Sequence, residues 1–129
     1  LVKQKIFCLP YLFFLFFVLD PQQPKYQLGS AACLHRLGKY EKAAQVYVIS
    51  SALDPTNPIP HFHAADCYIK LGALPLAQVE LRYAIERCGD KKEHELIKER
   101  AILMLNAVDA EMEVLIKEHK AKESQEGYS

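Results

Sequence analysis

Three residues near the middle of the sequence are of types that bind transition metals. His63 and Cys67 are four residues apart, so they would share one face of a helix, and His61 lies two residues earlier. A closed zinc site needs four ligands, however, and no pair of cysteines or histidines lies nearby at a suitable spacing. Cys67 also recurs 34 residues earlier as Cys33, which has no histidine four positions before it. We therefore predict no metal site and no cofactor.

Residues that could perform acid–base or nucleophilic chemistry are isolated from one another in the sequence. An active site needs a nucleophile, a base and an orienting group, or paired carboxylates in a cleft. Asp66 is a single acidic residue in the middle of a predicted helix, where a carboxylate is usually solvated. Cys88 followed by Gly89 is interpreted as the end of a helix with a glycine cap. We predict no catalytic residues and a protein that is not an enzyme.

The amino-acid composition excludes further classes of binding partner. Lys plus Arg and Asp plus Glu both number 16, so the formal net charge is zero. A chain without a strong positive field is not expected to bind nucleic acid or an anionic membrane. The 129 residues, half of them apolar, suffice for one domain. The cysteines are too scattered for a disulfide framework and are interpreted as buried thiols in a reducing compartment: Cys8, Cys33, Cys67 and Cys88.

An apolar run of 14 residues, Ile6 to Leu19, follows two lysines and superficially matches a secretory signal. A membrane span needs about 20 apolar residues, Pro10 interrupts the run, and the residues after Leu19 offer no small-residue cleavage site. We predict a buried helix of the fold that leaves part of Phe13 to Phe17 uncovered and favours association of the chain. A membrane anchor over residues 6–19 is the alternative.

The sequence repeats itself with a period of 34. The element LDPxxP occurs at residues 19–24 and again at 53–58. A second set of residues recurs at the same offset: Ala31, Cys33, Leu37, Gly38 and Ala43 return as Ala65, Cys67, Leu71, Gly72 and Ala77. Thirty-four residues is the period of the tetratricopeptide repeat, a helix–turn–helix unit that stacks into solenoids. The predicted fold class is therefore all-α, a tetratricopeptide-repeat solenoid of antiparallel helix pairs with a C-terminal capping helix.

The recurring residues have separate structural roles. Gly38 and Gly72 follow predicted helices, where a left-handed residue without a Cβ ends the helix at little cost. Proline cannot continue a helix interior, so Pro21 and Pro55 are expected to separate the repeats. Pro60 and Pro75 fit first helical turns. Small residues stand where two helices should cross closely: Ala31, Ala43, Ala65 and Ala77.

These signals give a helix ending near Leu19, pairs at about 25–37 with 40–53 and 59–71 with 74–88, a last helix from about 92 to 122, and no strand. In domain terms, residues 1–119 form one domain. It comprises a partial first repeat at 1–24, a second repeat at 25–58, a third at 59–91 and a capping helix at 92–119. Residues 120–129 lack apolar periodicity and are predicted to be a disordered tail.

Two segments resemble a narrower family. Phe62-His63-Ala64-Ala65-Asp66-Cys67, followed by Leu71-Gly72, resembles the FHAAEC segment of the class II chaperones of type III secretion translocators, the SycD/LcrH-like family. Residues 29–33 with 37–40 are similar to the preceding repeat of that family, and the resemblance runs from about Leu12 to Met112. It implies a bacterial cytoplasmic chaperone with three repeats and a closing helix. Such a protein keeps a hydrophobic translocator soluble before export, and dimer contacts in the family come largely from the N-terminal region.

In a solenoid of this kind the first helix of each pair lines the concave surface. The predicted peptide-binding groove comprises Leu28, Ala32, His35, Arg36, Phe62, Asp66, Ile69 and Lys70. Apolar residues spared from the core often mark a binding surface, and Leu28, Phe62 and Ile69 are interpreted in that way. Repeat proteins that clamp a C-terminal carboxylate place Lys and Asn where this chain has Leu28, Ala32, Phe62 and Asp66, so no such clamp is expected.

The predicted function is that of a cytoplasmic chaperone that binds an extended N-terminal segment of a hydrophobic type III translocator in its groove. The predicted partners are this translocator and a second copy of the chain, without nucleic acid or membrane. A general tetratricopeptide scaffold that joins two soluble proteins is the alternative function.

Overall fold

The computed structural model describes residues 15, 18–20 and 22–127. Of the apolar N-terminal run, Leu15, Val18 and Leu19 are helical and more than half exposed. The expectation of a buried helix is wrong at Val18 and Leu19, because no described residue covers them, whereas Leu15 lies within the stretch 13–17 that is predicted to be partly uncovered. The other residues of the run, including Phe13, Phe14, Phe16 and Phe17, lie outside the described residues.

The described part of the chain is all helical, without a strand. Its α-helices are α1 (Pro24–Arg36), α2 (Tyr40–Leu53), α3 (Ile59–Lys70), α4 (Leu74–Cys88) and α5 (Glu95–Glu126), with a short 3-10 turn at Lys92–His94 before α5. Each helix packs against the next along the chain, and α3 also touches α5. This sequential packing is that of a helical-pair solenoid, which confirms the predicted fold class.

The turns inside the two pairs are formed as the glycines predict. Gly38 and Gly72 have φ angles of 76° and 74°, in the left-handed region. At the first turn the amide of Gly38 donates to the carbonyl of His35 over 3.1 Å, and the amide of Lys39 donates to the carbonyl of Leu34 over 2.9 Å. These bonds satisfy carbonyls that the end of α1 would otherwise leave unpaired. Two antiparallel helices can therefore follow each other within a few residues.

Small side chains allow the helices to approach closely. The four alanines predicted to lie at helix crossings, Ala31, Ala43, Ala65 and Ala77, are all completely buried. Around them the buried residues form two clusters, which share α3. Cluster 1 consists of Ala31, Ala43, Ala44, Tyr47, Ala64 and Cys67. Cluster 2 consists of Ala65, Leu74, Leu81, Ala101 and Val108. The neighbours Ala64 and Ala65 thus belong to different clusters, so α3 is covered on both sides.

The link between the two pairs is held by one arginine. Arg87 of α4 donates from Nη1 to the carbonyl oxygens of Ser51, Asp54 and Asn57 at 2.9, 3.2 and 3.1 Å. The side-chain oxygen of Asn57 in turn accepts the amide of Ile59 at the start of α3, over 3.0 Å. Carbonyls at the end of a helix need partners, and a charged donor makes strong bonds to them. The second LDPxxP element, at residues 53–58, is therefore fixed to α4.

The last helix is longer than the sequence pattern predicts. It continues to Glu126, so the predicted disordered tail from residue 120 is helical through that residue, and residues 128–129 lie outside the described part. Only Ala101 and Val108 of this helix are buried. Residues 117–126 are mostly Lys, Glu, Ala and Gln, which favour helix intrinsically. The spacing of apolar residues does not report this intrinsic preference, so it predicts a helix that ends too early.

Candidate peptide-binding site

A depression of about 380 Å³ opens between α1, α2 and α3. It is lined by Ala32, His35 and Arg36 of α1, Tyr47 of α2 and His63 of α3. We call this surface the His63 depression. Three of its residues, Ala32, His35 and Arg36, belong to the predicted groove, whereas Tyr47 and His63 do not. The site is therefore built from both helices of one pair and the first helix of the next.

A chain of hydrogen bonds fixes one wall of the depression. The hydroxyl of Tyr47 lies 3.2 Å from Nδ1 of His35, and Nε2 of His35 lies 2.7 Å from Oδ2 of Asp66. Burial is the main reason that the pKa of Tyr47 is raised well above its usual value. The phenol therefore keeps its proton and donates a hydrogen bond to Nδ1, while the N–H at Nε2 donates one to the carboxylate of Asp66. His35 is thereby held in one orientation, and α1 is joined to α3.

His63 forms the aromatic floor of the same depression. Its ring stacks on Tyr47 with centroids 5.4 Å apart and an angle of 27°. Its ring plane stands steeply to those of His35, at 6.1 Å, and Phe62, at 5.6 Å. Burial, and next the neighbouring His35, lower the pKa of His63, whereas the charge of Asp66 acts in the opposite direction. His63 is therefore neutral at pH 7.

The remaining predicted groove residues are not among those that line this depression. Leu28 is half-buried and packs against cluster 1, and Phe62 and Ile69 are half-buried and pack against cluster 2. The interpretation that these three residues are spared from the core is wrong, because each packs on a buried cluster and also keeps exposed surface. Lys70 is exposed at the end of α3. Asp66 is held by His35 instead of being simply solvated.

Tyr47 and His63 line the depression but lie outside the predicted groove, and they give different signals in the sequence. Tyr47 occupies the repeat position that Leu81 occupies 34 residues later, and both side chains are fully buried. A tyrosine at a core position carries a hydroxyl that needs a partner, and this signal points to a polar neighbour. His63 corresponds to Gly29 in the preceding repeat, so the period gives no guide to its role.

The histidines and the cysteine that suggested a metal are oriented apart. His61 pairs through Nδ1 with Glu80 of α4, while His63 stacks on Tyr47 of α2. Cys67 is fully buried, and burial followed by the charge of Asp66 raises its pKa to about 11, so it is a protonated thiol at pH 7. Among the described residues no three side chains of His, Cys, Asp or Glu are grouped to hold a metal ion.

Among the helices that the structure describes, none has the length and apolar character required to cross a bilayer.

No protein-family model matches the sequence. The chain is 33% identical over 97 residues to the low calcium response locus protein H of Yersinia pestis. This alignment covers 75% of the chain and 58% of the relative, so the chain spans less than two thirds of that relative's length.

Solved structures extend the similarity to the fold. The crystal structure of PcrH in complex with the chaperone binding region of PopD superposes with a TM-score of 0.77 at 35% identity, over 80% of this chain and 77% of PcrH. SycD, the type III secretion translocator chaperone of Yersinia enterocolitica, superposes with a TM-score of 0.78 at 31% identity, over 81% of this chain and 72% of SycD. SycD is a translocator chaperone, in agreement with the chaperone function predicted from the sequence. The chain belongs to the family of type III secretion translocator chaperones.

Proposed function

We propose that this chain is a cytoplasmic chaperone that binds a hydrophobic type III translocator through an extended segment and keeps it soluble before export. The related PcrH has been crystallised with the chaperone binding regions of PopD and PopB, and SycD with a peptide of the translocator YopD. A dimer of SycD is also known. By the same similarity we propose that a second copy of this chain is a further partner.

The observation that carries this proposal is the His63 depression and its apolar surroundings. An extended peptide offers alternating side chains for pockets and main-chain groups for hydrogen bonds. The half-buried ring of His63, backed by the fully buried ring of Tyr47, supplies a flat floor, and the half-buried Phe62 beside His63 extends that floor along α3. Aromatic rings with a polar edge are well suited to such contacts because they bury large apolar area and still offer a hydrogen-bonding group.

The electrostatics of the depression support a main-chain or apolar ligand over an anionic terminus. His63 is neutral at pH 7, and Asp66 contributes a carboxylate that is bound to His35. Arg36 is the only residue lining the depression that carries a permanent positive charge. A clamp for a terminal carboxylate needs several donors that converge on one point, and the residues that line this depression do not provide them.

The test is calorimetric titration of the chain with a synthetic peptide of the PopD chaperone binding region. We expect binding to the parent and an affinity at least about tenfold lower for Ala32→Trp, because an indole at this exposed position fills the depression. Ala110→Trp is the matched control, since it adds the same bulk at an exposed position of α5. Equal affinity of Ala32→Trp and Ala110→Trp would place the peptide elsewhere.

Chaperone action is tested separately from peptide binding. A full-length hydrophobic translocator is co-expressed with the parent chain or with Ala32→Trp, and the translocator in the soluble fraction is measured. We expect the soluble translocator to depend on the parent and to be lost with Ala32→Trp. A scaffold that joins soluble proteins would bind its partners without changing the solubility of the translocator, and this result would favour the alternative function.

A further inference from the structure

We propose that the client segment covers His63 and binds with this imidazole neutral, so that acidification weakens the complex. This inference rests on the proposed function and adds the residue that couples binding to pH. It concerns one ring in the His63 depression, in contact with residues of α1 and α2.

The two histidines of the depression differ in how their ring nitrogens are used. Both nitrogens of His35 are engaged, one with Tyr47 and one with Asp66. Neither nitrogen of His63 forms a hydrogen bond to another described residue, although the ring is held on Tyr47 by stacking. The polar edge of His63 is thus the group in the floor of the depression that has hydrogen-bonding capacity left for a ligand. A main-chain amide or carbonyl of an extended segment can use that capacity.

The groups that face His63 come from three helices. They are His35 and Arg36 of α1, Tyr47 of α2, and Asp66 of α3 itself. Tyr47 keeps its proton and contributes no charge. The carboxylate of Asp66 is directed at Nε2 of His35 at 2.7 Å and makes no hydrogen bond to His63. A proton on His63 would therefore stand beside the ring of His35 in a partly buried place, without a carboxylate of its own.

A bound segment increases the penalty for charging this ring. It removes the remaining water from the edge of His63, and a less solvated imidazole is harder to protonate. By linkage, a ligand that lowers the pKa of a group binds less tightly once that group is protonated in the free protein. If the neutral form is the competent one, the apparent affinity falls about tenfold for each pH unit below the pKa of free His63. The loss begins below the ordinary histidine pKa of 6.5.

The experiment measures the Kd of the PopD peptide between about pH 7.5 and about pH 5 by fluorescence anisotropy, with circular dichroism to verify the fold at each pH. The parent is expected to lose affinity toward the acid end of this range, by up to about tenfold for each pH unit below the pKa of free His63. His63→Gln keeps a donor and an acceptor but does not titrate, so its Kd is expected to stay nearly constant with pH. His119→Gln, at an exposed position of α5, is the matched control and should behave as the parent.

Three results would overturn the inference: a parent Kd that is independent of pH, an equal pH dependence in His63→Gln and the parent, or an NMR titration in which bound peptide leaves the pKa of His63 unchanged. The NMR measurement needs no variant, so a folding defect of His63→Gln does not leave the question open. Absence of peptide binding at every pH would instead contradict the proposed function.

Discussion

Two histidine–carboxylate pairs join neighbouring helices in this protein, and they lie in different surroundings. His35 and Asp66 connect α1 to α3 beside the depression, with side chains 21% and 35% exposed. His61 and Glu80 connect α3 to α4 in the interior, with side chains 8% and 12% exposed. Although His61 and His63 are two residues apart on one helix, the first belongs to the interior pair and the second to the depression.

The interior pair contributes mainly to stability, whereas the outer pair mainly positions His35. The interior pair has little water to replace a lost partner, and Nε2 of His61 is already buried without a hydrogen bond among the described residues. Removal of one partner from such a pair is costly. The outer pair is partly solvated, so its contribution to stability is modest, and its main effect is to fix the orientation of His35. The same pair of residue types is therefore expected to support folding in one place and the proposed peptide binding in the other.

The largest expected effect is on the interior pair. Glu80→Ala leaves His61 without its partner in a buried site, and we expect the free energy of unfolding to fall by about 3 kcal/mol. Chemical denaturation measures it. Glu86→Ala, at an exposed position of the same helix, is the control and should change stability by less than about 0.5 kcal/mol. A loss in Glu80→Ala no larger than in the control would show that the interior pair is not important for folding.

The next effect concerns Phe62, which has one side against cluster 2 and another beside His63. Phe62→Ala should weaken binding of the PopD peptide by about 1 to 3 kcal/mol, the range of an interface anchor. Ile69→Ala should weaken it within the same range. Calorimetric titration gives the binding free energies.

Melting curves decide whether Phe62 belongs mainly to the site or mainly to the core. Ala65→Leu forces bulk into a fully buried helix crossing and should cost about 1 to 3 kcal/mol of stability. We expect Phe62→Ala and Ile69→Ala to lower the melting temperature less than Ala65→Leu does. If Phe62→Ala binds like the parent and melts far lower, Phe62 is a core residue and the groove lies on another face.

A smaller effect is expected for the outer pair. Asp66→Ala releases His35 from its fixed orientation. Because positions 35 and 66 are both partly exposed, water can replace the lost hydrogen bond. We expect peptide binding to weaken by about 1 kcal/mol, or about fivefold in Kd, with a loss of stability of no more than about 1 kcal/mol. Titration and denaturation of the same sample measure the two quantities. A loss of stability as large as that of Glu80→Ala would remove the distinction between the pairs.

The smallest effect is on the pH dependence of stability. The folded state lowers the pKa of His63 below its ordinary value of 6.5, so below that pH the unfolded chain binds more protons at this residue. The stabilisation is complete above about pH 6.5 and is lost as the pH falls toward the pKa in the folded protein. Between about pH 7.5 and about pH 5.5, the melting temperature of the parent should fall by about 2 °C more than that of His63→Gln. An equal fall in both proteins would mean that folding does not perturb His63.

Much of the fold could be predicted because its signals are local. Predicted α2 at 40–53 and α4 at 74–88 agree with the observed Tyr40–Leu53 and Leu74–Cys88. Glycine at the left-handed turns and proline in the first helical turns impose these boundaries through backbone geometry alone. The apolar pattern ends α5 too early, since a helix of Lys, Glu and Ala needs no apolar stripe to form.

The site was predicted less completely, because its geometry depends on three helices. Ala32, His35 and Arg36 could be placed by their position on α1, but the pairing of His35 with Asp66 joins residues 31 apart. The stacking of His63 on Tyr47 likewise requires α2 and α3 to be packed first. No sequence pattern specifies such contacts, since each depends on where the backbones come to lie.

Local sequence thus specifies the period of 34, the helix pairs, the turns at Gly38 and Gly72 and the family resemblance. Each of these follows from the conformational preferences of residues close together in the chain or from recurring motifs. The packing of the helices, by contrast, brings Tyr47, His35 and Asp66 into one hydrogen-bonded chain and places His63 beside it. Those contacts arise when buried alanines let the helices approach, and the free energy of that packing orients side chains that are distant in sequence.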